Sequence, residues 1–139
     1  MTKTRLILFG LLGMVVVLLI GYVWGAAGRG QAEDRQRELE TRLLLTQAQR
    51  TLATARVDLF ELNYGEASRR LEEARRLLDR LRATIDREGP REAAPGVVEA
   101  LAATTEAQRF LAEMNQAAGS RAADALRALQ RVESMLPRE

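Results

Sequence analysis

With 139 residues, a formal charge of +2 and neither cysteine nor histidine, the chain has room for one small domain. It cannot offer a thiolate nucleophile, a disulfide, a histidine base or a usual zinc site. The charge excess comes from Lys3 and Arg5 alone, because from residue 28 onward 19 arginines meet 19 acidic residues. The basic isoelectric point is therefore no sign of nucleic-acid binding. Beyond residue 27 the only aromatics are Phe60, Tyr64 and Phe110, which make no base-stacking platform.

Residues 1–5 form a short basic tip. Leu6 to Ala27 follows, 22 residues without a charge. As a helix this stretch would be roughly 33 Å long, enough for a hydrocarbon core of about 30 Å. It has no polar face, unlike a buried helix of a globular domain, and it is longer than the apolar region of a cleaved signal. Tyr22 and Trp24 suit the interfacial aromatic belt. The expectation is an uncleaved transmembrane anchor over 6–27. Gly25 and Ala27 are small enough for a cleavage site, which keeps a released form as the alternative. Gly21 and Gly25 make a G-x-x-x-G pair, a candidate dimer face of the membrane helix. Lys3 and Arg5 directly before the apolar run point to a cytoplasmic tip. The remaining domain would then lie on the periplasmic side of the inner membrane. Arg29, Arg35, Arg37 and Arg42 count against this orientation.

Residues 28–44 read as a glycine hinge and a polar helical stalk. Glu33 with Arg37, and Glu38 with Arg42, have the favourable acid-first i,i+4 spacing. From Leu45 the pattern becomes a bundle seam of Leu45, Ala48, Leu52, Ala55, Leu59 and Leu62. Asn63 and Gly65 tolerate left-handed conformations, and the chain is expected to reverse there. A second seam, Ala67, Leu71, Ala74, Leu78, Leu81 and Ile85, makes 45–88 a helical hairpin in which Leu59 and Leu71 face each other. Glu66 with Arg70 and Glu72 with Arg76 should decorate its outer face. Residues 89–96 form a Pro/Gly linker, with Gly89-Pro90 ending one helix and Pro95-Gly96 preceding the next.

Residues 97–136 read as a second hairpin. Its first helix runs from about Val97 to Ala117, with Val97, Ala100, Leu101, Ala107, Phe110, Leu111 and Met114 on the apolar face and Thr104 inside it. Gly119-Ser120 is the expected break, with Ser120 as N-cap, followed by Ala122, Ala125, Leu129, Val132 and Leu136. A faint internal repeat aligns Ala67, Leu71 and Leu81 with Ala122, Leu126 and Leu136, a step of 55 residues. Lysine occurs once against 20 arginines, a bias of the kind GC-rich bacterial codon usage produces.

The run Asn63-Tyr64-Gly65-Glu66-Ala67, continuing to Leu71 and Ala74, resembles the turn and second helix of a tetratricopeptide repeat. Ala55, Tyr64, Ala67 and Ala74 match positions where that family nests its two helices. The match covers one unit, Ala48 to Leu81. Thr51 stands where the family has a large aromatic residue, and Asp79 where it has proline. The resemblance implies a hairpin used for packing or protein binding, without the superhelical groove that about three repeats would build. The layout also resembles small bacterial envelope proteins that carry one anchor and a helical bundle.

Candidate sites are few. Glu72-Glu73 and Asp86 with Glu88 lie among arginines and read as solvated ion pairs. Arg69-Arg70 and Arg75-Arg76 have glutamates one turn away, which cancels their field. Tyr64 is a candidate capping ring over the turn, and Met114 and Phe110 read as core. No catalytic, cofactor-binding or metal-binding residue is expected. The fold expected is all-α: one N-terminal transmembrane helix, a polar helical stalk and an antiparallel helical bundle of two hairpins. The function expected is a non-enzymatic, membrane-anchored interaction module of the envelope. Its partners would be the membrane and a protein, which could be a second copy of itself, and not nucleic acid. The alternatives are an accessory subunit of a larger membrane enzyme or transporter, or a released periplasmic stress or chaperone-like factor. Leu59, Tyr64, Leu71 and Phe110 are the candidate packing or interaction residues, with Gly21 and Gly25 in the membrane helix.

Overall fold

A computed structural model describes residues 2–136 of the chain. Within that range it describes the side chains of Met14, Val15, Val17 and Leu18, and of every residue from Glu33 on except Glu88. Four α-helices are present among the described residues: α1 Thr2–Phe60, α2 Tyr64–Glu88, α3 Ala94–Ala112 and α4 Ala117–Met135, with a short 3-10 turn at Arg91–Ala93. The chain divides into two compact units, residues 1–37 and 38–139. Among the described residues no helix is long and apolar enough to cross a membrane. Most of the 6–27 segment, with Gly21, Gly25 and the glycine-dense junction at 25–30, lies outside the described side chains.

The first unit contains the expected Glu33–Arg37 pair at 3.6 Å, and Asp34 also reaches Arg37 at 3.2 Å. In the second unit the apolar seams of four helices converge. Leu45, Ala48, Leu52 and Ala55 of α1 meet Ala67, Leu71, Ala74, Leu78, Leu81 and Ile85 of α2, together with the seams of α3 and α4. Thr41 and Leu44 are already buried, so the bundle begins before the seam at Leu45 and takes in residues assigned to the stalk.

Cross-helix contacts give the topology. Arg70 on α2 bridges to Asp58 on α1 at 2.7 Å. Gln108 on α3 donates to Glu72 on α2 at 3.0 Å. Arg121 and Arg131 on α4 reach Glu106 and Glu99 on α3 at 3.0 and 2.6 Å. Gln49 on α1 donates to Glu133 on α4 at 3.0 Å. Each helix runs antiparallel to the one before it, and α4 closes back onto α1. The unit is an up-down-up-down four-helix bundle of the kind short connections favour.

Both hairpin turns use one device. Leu62 (φ 61°) and Met114 (φ 52°) take the left-handed conformation. Leu62 N–H donates to the Leu59 carbonyl at 3.2 Å and Asn63 N–H to the Asp58 carbonyl at 2.8 Å. Met114 and Asn115 repeat this onto Leu111 and Phe110 at 2.9 and 2.8 Å. This paired bonding is the Schellman C-cap, which satisfies the orphan carbonyls of a helix end. The turn thus falls on Leu62 rather than on Asn63 or Gly65, and Gly65 lies inside α2. Leu62, expected in the seam, is exposed because α1 has ended at Phe60. Met114, expected in the core, is 77% exposed for the same reason at the end of α3.

Other boundaries shift by a few residues. Gly89 caps α2, its N–H bonded to the Ile85 carbonyl at 2.9 Å. A side-chain carbon there would fall 2.5 Å from Ile85 Cα, so glycine is required by space rather than by φ. Pro95 and Gly96 sit in the first turn of α3, not before it, a place where proline costs nothing because its missing N–H would be unpaired. The helix end expected near Ala117 comes at Ala112. Gly119-Ser120 does not break the chain: both lie inside α4, and Ser120 Oγ donates back to the Ala117 carbonyl at 2.8 Å. Asn115 does the capping instead, its Oδ1 accepting the Ala117 N–H at 2.9 Å.

Burial also resets the internal repeat. Between α1 and the stretch formed by the 3-10 turn and α3 the buried positions coincide at a step of 52: Thr41 with Ala93, Leu45 with Val97, Ala48 with Ala100, Leu52 with Thr104 and Ala55 with Ala107. Between α2 and α4 with its C-cap they coincide at 51: Ala67 with Ala118, Leu71 with Ala122, Ala74 with Ala125, Leu78 with Leu129, Leu81 with Val132 and Ile85 with Leu136. The step of 55 read from the sequence is about one helical turn out of register. A displacement of one turn keeps leucines and alanines on the same face, so the seam pattern alone does not detect it.

Candidate interaction surface

The six candidate residues fall in different places. Leu71 is fully buried, and Leu59 is half-buried against the same core. Tyr64 is the first residue of α2 and is 37% exposed. Phe110, expected in the core, is only half-buried, and the guanidinium of Arg109 lies 5.0 Å from its ring centroid. That separation is within cation–π range. Gly21 and Gly25 lie outside the described side chains.

Several charged groups are held in ion pairs. Glu72 accepts from Arg75 at 3.1 and 3.3 Å, from Arg76 at 3.3 Å and from Gln108 at 3.0 Å. The hydrogen bonds from Arg75 and then Gln108 are the main reason its pKa is lowered to about 2. On α4, Asp124 is held below the usual carboxylate range mainly by its hydrogen bond to Arg127, with Arg121 adding to it. Asp86 pairs with Arg82 at 3.6 Å. Arg70, expected to pair with Glu66, instead crosses to Asp58, a residue only 8% exposed, while Glu66 takes Arg69. Among the described residues no group of three or more acidic side chains could hold a metal ion.

Among the described residues, two of the grooves lie between helices. One of about 500 Å³ separates α1 from α4 and is lined by Arg42, Leu45, Thr46, Gln130, Glu133, Ser134 and Leu136. The other, about 400 Å³ along α3 and α4, is walled by Glu99, Glu106, Arg121, Asp124, Arg127 and Arg131 over a floor of Ala102 and Ala103. The pairs Glu106–Arg121 and Glu99–Arg131 span its walls, leaving alternating charge rather than a field of one sign.

The surface that departs from an ordinary solvated face is apolar. Leu39, Leu43, Val57 and Phe60 lie on the side of α1 opposite its core seam, and Phe60 is 89% exposed. Leu62, Tyr64 and Met114 add exposed apolar groups at the bundle end that holds both turns. In the sequence this α1 stripe is masked by the denser Leu45–Leu62 seam on the other face. The 4- and 3-residue spacing of Leu39, Leu43, Val57 and Phe60 was nonetheless present in the sequence. The fold and these residues define a closed helical bundle with an uncovered apolar face. No protein family, curated protein or solved structure was found to match the chain.

Proposed function

We propose that this chain is a non-enzymatic, membrane-anchored helical interaction module of a bacterial envelope. The anchor would be residues 6–27. What carries this reading is the uncharged run Leu6 to Ala27, in which the described side chains Met14, Val15, Val17 and Leu18 are all exposed, Val15 least at 45%. Consecutive apolar groups left this open need another apolar phase, and a run of this length suits lipid. The basic tip supports a cytoplasmic N-terminus with the bundle on the outer side of the inner membrane.

The bundle supports a binding role rather than a catalytic one. Its buried residues are almost all apolar, its cross-helix carboxylates Asp58, Glu99 and Glu106 are paired with arginines, and its exposed leucine, valine and phenylalanine side chains need cover. Within this reading the Ala48–Leu81 hairpin serves as a tetratricopeptide-like packing unit. Ala55, Ala67 and Ala74 are fully buried where that family nests its helices.

Fractionation and fusion reporters test the proposal together. The protein should stay in the membrane pellet after alkaline carbonate extraction, and its N-terminal residue should be uncleaved. A C-terminal alkaline phosphatase fusion should be active and a C-terminal green fluorescent protein fusion dark. Release into the soluble fraction with a shortened N-terminus would replace the anchored reading by that of a released factor. The opposite reporter pattern would move the bundle to the cytoplasmic face.

A further inference from the structure

The outer face of α1 in the second unit has the geometry of a coiled-coil seam. Leu39, Leu43, Ala53, Val57 and Phe60 are all exposed, and with Thr46 and Arg50 they follow a strict alternation of four- and three-residue steps. Leu43, Arg50 and Val57 take the a positions, and Leu39, Thr46, Ala53 and Phe60 the d positions. The core seam of α1 runs along the opposite side, so a helix laid on this stripe would displace nothing in the bundle.

We propose that this stripe pairs with the same stripe of a second copy, in parallel and in register. Flanking charges favour that occupant. In a parallel pair, a g residue faces the next e residue of the other strand, and opposite charges there set partner and orientation. Here the g residue Arg56 would face Glu61 of the second copy, the first residue past the end of α1, and both are exposed. By symmetry this contact occurs twice. The other two pairs, Arg42 with Gln47 and Gln49 with Thr54, oppose no like charges. Arg50 at an a position suits two strands, where its long stem can reach past the seam to water, and a single polar a residue fixes register. The parallel orientation rests on the membrane reading, because copies inserted through one anchor all point the same way.

The absence of cysteine makes the test direct. Full-length Val57→Cys and Leu43→Cys, each as the only thiol, should give a crosslinked dimer in cell membranes with a short bismaleimide. Glu73→Cys on the exposed outer side of α2 should give only the collision background. Adding Leu43→Asp to Val57→Cys should lower the crosslinked fraction several-fold while the helical circular dichroism signal stays unchanged, since Leu43 is already 57% exposed. Membrane-retained protein with Val57→Cys no better crosslinked than Glu73→Cys would overturn the pairing and leave the anchor standing. A crosslinked dimer in the soluble fraction would keep the pairing and overturn the anchor. Crosslinking of Val57→Cys only to a protein of another mass would also overturn the second-copy assignment.

Discussion

The two hairpins of the bundle share a register but fill it with different volumes. Leu52 and Leu71 in the first correspond to Thr104 and Ala122 in the second, and Leu81 corresponds to Val132. The second hairpin buries Ala100, Ala103, Ala107, Ala118, Ala122, Ala125 and Ala128. A carbon added at Gly96 would lie 2.6 Å from Val132 Cγ2, so α3 and α4 come close together at that end. Small side chains allow this approach, and the buried Thr104 satisfies its hydroxyl within its own helix by donating to the Ala100 carbonyl at 2.8 Å. The polar pins differ as well. The first hairpin ties its helices with Asp58–Arg70 and the second with Glu99–Arg131 and Glu106–Arg121, while at the position equivalent to Asp58 the second has Phe110 against Arg109 of the same helix. One backbone plan thus tolerates a leucine-rich and an alanine-rich filling, provided that each matches its own helix spacing.

The largest test is to exchange the fillings. Leu71→Ala gives the first hairpin the residue found in the second, but in a space built for leucine. It should cost about 2–5 kcal/mol, seen as a clear fall in melting temperature. The reverse exchange, Ala122→Leu, should also destabilise, by about 1–3 kcal/mol, through overpacking. If either exchange is neutral, the two helix pairs are not spaced differently.

The polar pins come next. Arg70→Ala leaves the Asp58 carboxylate, only 12% exposed, without its cross-helix partner. A loss of about 1–2 kcal/mol is expected, less than for a fully buried pair because Arg70 itself is partly solvated. The i,i+4 surface pairing expected from the sequence would have made this change nearly silent. Arg109→Ala, which removes an exposed cation–π contact, should cost no more than about 0.5–1 kcal/mol. Chemical denaturation of the two variants side by side separates the cross-helix pair from the contact within α3.

A smaller effect should be the same in both hairpins. Leu62→Gly and Met114→Gly relieve a left-handed residue that carries a side chain, and each should stabilise by about 0.5–1 kcal/mol. A gain at one turn only would show that the two caps are not equivalent.

The acid limb of stability reports on the polar contact between α2 and α3. The folded-state pKa of Glu72 is lowered to about 2 from 4.5. Its contribution is therefore present above the unfolded value and is lost as pH falls through the folded one, between about 4.5 and 2. Thermal melts across that window should show a shallower acid loss for Glu72→Gln than for the parent chain. An unchanged slope would mean that the Arg75 and Gln108 contacts are not maintained in solution.

Much of this architecture is written locally. The seam from Leu45 to Leu59, that from Ala67 to Ile85 and the stop at Gly89 follow from periodicity and from glycine and proline chemistry, which act within a few residues. The net balance of charge and the lack of cysteine and histidine likewise follow from composition. Tertiary packing decided the rest. Whether the bundle starts at Leu45 or at Thr41 depends on what lies across from Thr41, which a one-helix pattern does not contain. Arg70 chose Asp58 over Glu66 because an antiparallel neighbour brought a buried carboxylate within 2.7 Å. The left-handed residue fell on Leu62 and Met114 because two Schellman bonds and the ends of the seams outweighed the local preference of Asn63 and Gly65 for that conformation. The repeat register moved from 55 to 52 and 51 because helical faces recur every turn and only contact with a neighbouring helix selects which turn is buried. The outer stripe of α1 follows the same rule: its spacing stands in the sequence, but that it is left uncovered was determined by where the other three helices pack.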